Sequence, residues 1–172
     1  MDIMKQVLNL ARHAGANGDV PIGAVIVRDG KIIARGENLV QRKMNPTLHA
    51  DIVAINRACR KLDQKFLDDC DIYVSLEPCA MCATAISFAR IRNIYFAATD
   101  EKGGGITANA RVFDNDKHLW HPNIIQCPEY AAESAELLRE FFANRRKKRL
   151  NPTFAGFFTI TNHLSRHATP RS

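Results

Sequence analysis

A chain of 172 residues with 46% hydrophobic and 24% charged side chains is long enough for one buried core and too apolar for wholesale disorder. No apolar run approaches the ~18 residues of a membrane span, and the first residues lack the basic, apolar and small-residue order of a signal peptide, so a cytoplasmic protein is expected. The formal net charge of +6 and the pI near 9.2 suggest a polyanionic partner.

Residues 3–14 repeat apolar side chains (Ile3, Val7, Leu10, Ala11, Ala14) at helical spacing, with Gly15 and Gly18 as stops. Residues 22–27 and 32–36 are two β-rich runs around Arg28-Asp29-Gly30, a hairpin signal. A polar loop, 38–46, leads to a helix over 48–62. Residues 72–76 form a short strand, Pro78 suits the first turn of a helix reaching about residue 89, and 94–97 is the next strand. Strand, helix and strand in that order imply a parallel pair with a right-handed crossover. Ile124-Ile125 suits a last short strand, and residues 129–149 form a helix with Leu137, Leu138, Phe141 and Phe142 as its apolar positions. Residues 1–150 therefore make one α/β domain, a mixed sheet with helices on both faces. Residues 151–172 lack periodicity and are expected to be a poorly ordered tail.

The informative cluster is His49-Ala50-Asp51 followed by Pro78-Cys79-Ala80-Met81-Cys82. Five cysteines, two of them spaced as Cys79-x-x-Cys82, argue for metal or redox chemistry rather than a disulfide framework. Two sulfurs three residues apart at a helix N-terminus can meet at one point, and the helix dipole favours their thiolates. With His49 they make three zinc ligands and leave a fourth tetrahedral position open, as a catalytic zinc requires. Zinc lowers the pKa of water bound there from 15.7 to roughly 7. Cys59, Cys70 and Cys127 read as small buried hydrophobes, and Gly103-Gly104-Gly105 as a flexible loop without the lysine of a phosphate-binding turn. Arg145, Arg146, Lys147, Lys148 and Arg149 form a run longer than a helix C-terminus needs, which points to RNA phosphates. Phe141 and Phe142, being adjacent, are expected to split between the core and a stacking role at the RNA.

These motifs resemble the zinc deaminase signature His-x-Glu…Pro-Cys-x-x-Cys. Within that superfamily the chain looks most like the bacterial tRNA adenosine deaminases. The resemblance is carried by Val20-Pro21-Ile22-Gly23-Ala24-Val25, Asn45-Pro46-Thr47-Leu48-His49-Ala50, Leu76-Glu77-Pro78-Cys79-Ala80-Met81-Cys82, and Phe141-Phe142 followed by Arg145-Arg146. It implies a cytidine-deaminase-like three-layer α/β/α fold with a five-stranded mixed sheet, a zinc cofactor, a homodimer, and wobble adenosine in a tRNA anticodon loop as substrate. It also implies that Asn38 hydrogen-bonds the extruded base, that Asp100 borders the nucleic-acid groove, and that the second residue after the zinc histidine moves the protons. Glu77 reads instead as serving the turn that aims Cys79.

The proton-moving position carries Asp51 where the family has glutamate. Aspartate has the same chemistry with one methylene less reach, and a misplacement of ~1 Å can cost on the order of 10²-fold in rate. Three readings follow: a slowed enzyme, a backbone adjusted to compensate, or an introduced substitution. Two other functions stay open beside tRNA deamination. One is deamination of a free base or nucleoside such as guanine or cytosine, which has no use for the basic helix end. The other is a catalytically silent, zinc-stabilised RNA-binding or partner subunit.

Overall fold

The computed structural model describes residues 2–114 and 120–150, the last three of these by backbone alone. His118, the side chains of Lys148 and Arg149, and the tail 151–172 lie outside the described residues. The elements are α1 (Ile3–Ala16), β1 (Gly23–Arg28), β2 (Lys31–Glu37), α2 (Ala50–Leu62), β3 (Asp71–Leu76), α3 (Ala80–Phe88), β4 (Asn93–Ala98), β5 (Asn123–Gln126) and α4 (Ala131–Leu150). Short 3₁₀ turns at Val112–Asp114 and Pro128–Tyr130 flank β5 in sequence.

The five strands form one sheet in the order β2-β1-β3-β4-β5. The hairpin turns at Asp29 and Gly30, both with positive φ (49° and 70°), as the twist of paired strands requires. β1 is antiparallel to both β2 and β3, so β2 and β3 run the same way, and β4 and β5 continue parallel to them. Strand alternation divides the core. Ala24, Ile26, Ile72, Val74, Ile94 and Phe96 pack with α2 and α3 on one face. Val25, Val27 and Ala97 pack with Met4 and Val7 of α1 on the other, where Tyr73 and Tyr95 stack in register at 4.2 Å. Helices thus cover both faces, as expected of a largely parallel sheet.

This topology positions the site. α2 follows β2 and α3 follows β3 on the same face, so both helix N-termini open at one carboxyl edge of the sheet, where α/β folds build their sites. Gly36 makes the approach of α2 possible, since a Cβ there would lie 2.1 Å from the carbonyl oxygen of Ala50.

Several local expectations shift. Gly15 lies inside α1, which runs to Ala16. Pro78 stands outside α3, ahead of its N-cap Cys79, where its ring still fixes the entry of the chain. α4 begins at Ala131 after a 3₁₀ turn, and among its described side chains only Ser134 is fully buried, its hydroxyl donating to the Ser75 carbonyl. Neither Phe141 nor Phe142 enters the core: α4 packs beside α1 against β3 and β4, and both rings line surface grooves. Cys70 is buried, while Cys59 and Cys127 are half-buried.

Candidate active site

His49 and Cys79 are the N-cap residues of α2 and α3, both in extended backbone conformation. Caps of serine, threonine or aspartate normally satisfy the first backbone N–H groups, but neither side chain here makes such a bond. Both are left to face each other. Cys82, one turn into α3 and 1% exposed, completes the group. His49 Nδ1 is 3.6 Å from Cys79 Sγ and 3.6 Å from Cys82 Sγ, and the three donor atoms lie within 4.8 Å of one another. A tetrahedral zinc with Zn–S ~2.3 Å and Zn–N ~2.05 Å sets nitrogen and sulfur about 3.6 Å apart, so this donor set fits such an ion in both chemistry and spacing.

The electrostatics agree. A hydrogen bond from Cys82, reinforced by His49, holds the Cys79 thiol down at about 4 against the opposing effect of burial. Cys82 is driven the other way by sharing its proton with Cys79 and by burial, and His49 is raised by its hydrogen bond to Cys79. Asp51, in the first turn of α2 and 3% exposed, is pushed up to about 6, chiefly by burial. Its Oδ1 is buried without a hydrogen-bond partner.

Above this floor opens a cavity of about 510 Å³, lined by His49 and Asn38, by Val20 and Ile22, by residues 99–102, and by Leu138 and Phe142 of α4. Asn38 is 4% exposed and its Oδ1 is, among the described residues, the other buried side-chain oxygen without a partner. Its backbone is clamped: the N–H donates to the Ile22 carbonyl at 3.0 Å, and its carbonyl accepts from Arg42 Nη2 at 3.0 Å. Arg42 in turn donates through Nε to the fully buried Asp19 at 2.6 Å and pairs with Glu37, while Asp19 also accepts from the Gln41 N–H at 2.6 Å. Nothing in the sequence around Asp19 or Arg42 marks this buried pair, whose partners are 23 residues apart.

On the opposite wall Asp100 lines the cavity, and its Oδ1 accepts from the N–H groups of Lys102 and Gly103 at 3.1 and 3.0 Å. It therefore shapes its own loop while lining the cavity. The three glycines are not a slack linker. A Cβ on Gly104 would come within 2.6 Å of the Asp100 carbonyl and of the Glu77 carboxyl, so the loop is packed too tightly for a side chain. The basic run splits. Arg145 lies over the Phe141 ring at 5.5 Å, Arg146 and Lys147 are exposed, and none of the three joins an ion pair among the described residues. Trp120 is placed away from the site, its indole donating to the Ile91 carbonyl beyond the far end of α3.

The family model of the MafB19-like deaminases matches residues 1–149. The chain belongs to that family. This deaminase is 46% identical over 143 residues to the tRNA-specific adenosine deaminase of Agrobacterium fabrum, spanning 83% of this chain and 93% of that one. Among solved structures, a tRNA A34 deaminase studied for A-to-I editing at the wobble position superposes with a TM-score of 0.76 at 45% identity, covering 78% of this chain and 97% of that chain. The guanine deaminase of Nitrosomonas europaea superposes with a TM-score of 0.69 at 25% identity, covering 81% and 82%. The expected fold class is thus the observed one. No helix among the described residues is long and apolar enough to cross a membrane.

Proposed function

We propose that this chain hydrolyses adenosine to inosine, releasing ammonia, at the wobble position of a tRNA anticodon loop. His49, Cys79 and Cys82 would hold the zinc ion. Bound there, zinc supplies Lewis acidity and lowers the pKa of a water at its open fourth position to roughly 7. The protein supplies the proton path and the grip on the base. Asp51 Oδ1, an acceptor with no partner of its own, takes a proton from the attacking water and passes it to the ring nitrogen, then takes the second proton from the hydroxyl added to the ring and delivers it to the departing amine, which leaves as ammonia. Asn38 Oδ1, the other unpartnered oxygen, accepts a hydrogen bond from the extruded nucleoside. Asp100 borders the groove through which the strand enters.

The observation that favours RNA over a free base is the wall donated by α4. Leu138 and Phe142 close one side of the cavity, and the next turn of the same helix carries Arg145, Arg146 and Lys147 outward with no acidic partner among the described residues. An aromatic edge followed by cations suits a single-stranded loop, with bases stacked on the ring and phosphates on the charges. Lys148 and Arg149 extend that run in sequence. The likeness to tRNA-specific adenosine deaminases at 46% identity supports the same reading. We include in it a homodimer, for which Met44, Met81 and Phe88 offer exposed apolar surface, and a place in the cytoplasm, which goes with a tRNA substrate.

The test incubates the zinc-loaded protein with tRNA bearing adenosine at the wobble position and, separately, with guanine, cytosine and adenosine. Inosine in the tRNA supports the proposal. Ammonia from a free base alone would support the guanine-deaminase likeness instead, and tRNA binding without turnover would mark a silent subunit.

A further inference from the structure

Glu77 is a carboxylate only 2% exposed, two residues before Cys79, with no basic side chain among its hydrogen-bond partners. A buried charge of this kind is retained only when hydrogen bonds satisfy it. Here every partner comes from one loop. Oε1 accepts from the N–H groups of Ile106, Thr107 and Ala108 at 3.1, 2.7 and 3.3 Å and from the Thr107 hydroxyl at 3.1 Å. Oε2 accepts from the N–H of Asp100 at 3.1 Å. The two oxygens thus grip opposite ends of the loop whose first residues, Thr99, Asp100, Glu101 and Lys102, form one wall of the cavity. The loop is also stitched to the metal-ligand turn, Gly104 bridging to Cys79 and the Gly105 N–H donating to the Pro78 carbonyl at 2.8 Å.

We infer that Glu77 is a positioning residue for substrate affinity: its carboxylate sets where the 99–102 wall stands relative to the ligand turn, and so how tightly the cavity holds the base and its flanking nucleotides. It touches no reacting atom. The inference rests on the proposed function for its substrate and on the loop geometry for its mechanism.

The two oxygens make the inference divisible by experiment. In Glu77→Gln the amide oxygen keeps the three N–H donors of 106–108, because reversing it would set an NH₂ against all of them. The NH₂ then faces the Asp100 N–H, donor against donor, and only the wall end of the tether is lost. Amide hydrogen exchange by NMR on the full chain is expected to quicken at Asp100 by about tenfold while residues 106–108 stay protected. Dissociation constants for an anticodon stem-loop RNA should rise about tenfold, with the saturating single-turnover rate within about threefold of the parent and zinc stoichiometry unchanged. Thr107→Val removes a single donor from the same carboxylate, and an increase in the dissociation constant of about threefold is expected.

Unchanged exchange at Asp100, or protection lost evenly across the molecule, would overturn the inference. So would a fall in saturating rate or zinc content at constant affinity, which would assign Glu77 to the metal or the proton path. Exchange and zinc content are read without substrate. Should the parent bind guanine and not RNA, the functional reading fails, and the dissociation constant for guanine then tests the wall in the same way.

Discussion

The floor of the site and its walls are built on different principles. The floor is made of secondary structure: two helix N-termini delivered to one sheet edge by parallel crossovers, with His49 and Cys79 at cap positions where neither side chain caps a backbone N–H, and Cys82 in the first turn of α3. One wall is α4, and the other two are irregular chain, held in place by two buried carboxylates that each tie a loop down. Asp19 holds Arg42 and thereby Asn38 on one side, and Glu77 holds residues 100–108 on the other. A floor of this kind is coded locally and tolerates little change. Walls of this kind are coded by distant pairs, so they can shift the substrate while the chemistry below is kept.

If the floor is the chemical unit, removing a ligand should be the most damaging change. Cys82→Ala should bring zinc content near zero and inosine formation to background, measured by metal analysis and by a tRNA assay on the same preparation. Next in size, Asp51→Ala should cost about 10²–10⁴-fold in turnover while zinc and RNA affinity stay near parental values. Asp51→Glu should instead raise the saturating rate at least about tenfold, because Asp51 is buried and does not itself line the cavity, and an added methylene restores reach. A slower Asp51→Glu variant would mean that the floor is already adapted to aspartate.

The floor was legible because spacing carries it. His49 and the pair three residues apart announced a cluster that could hold a metal, and the Asp29-Gly30 turn and strand alternation announced the sheet. The walls were not legible. Asp19 and Arg42 are a pair only once the chain has folded, and the three glycines looked slack because their close packing against Glu77 and Ala80 has no sequence signature. Adjacent Phe141 and Phe142 suggested one core residue, but α4, packed beside α1, turns both toward grooves.

Smaller effects should come from the walls. Arg42→Ala leaves Asp19 buried and unpaired and frees the Asn38 carbonyl. A loss of about 2–3 kcal/mol in stability is expected, below the full value for a buried pair because Arg42 is about a quarter exposed. Thermal melting should show it as a drop of roughly 4–10 °C, with substrate affinity weakened more than the saturating rate. A variant with parental affinity would separate Asn38 from the clamp. Smallest at any one salt concentration is the rim. Replacing Arg145, Arg146 and Lys147 with alanine should flatten the salt dependence of tRNA binding by roughly 1.5–2 log units per decade, with zinc content unchanged. Equal slopes would make those cations an ordinary solvated helix end.

The central claim is that this floor and these walls together act on a base within RNA. Its most direct test is position-resolved detection of inosine in tRNA after incubation with the zinc-loaded parent. Inosine should appear at the wobble adenosine and nowhere else, and should vanish with Cys82→Ala. An unmodified tRNA alongside ammonia released from guanine would contradict it.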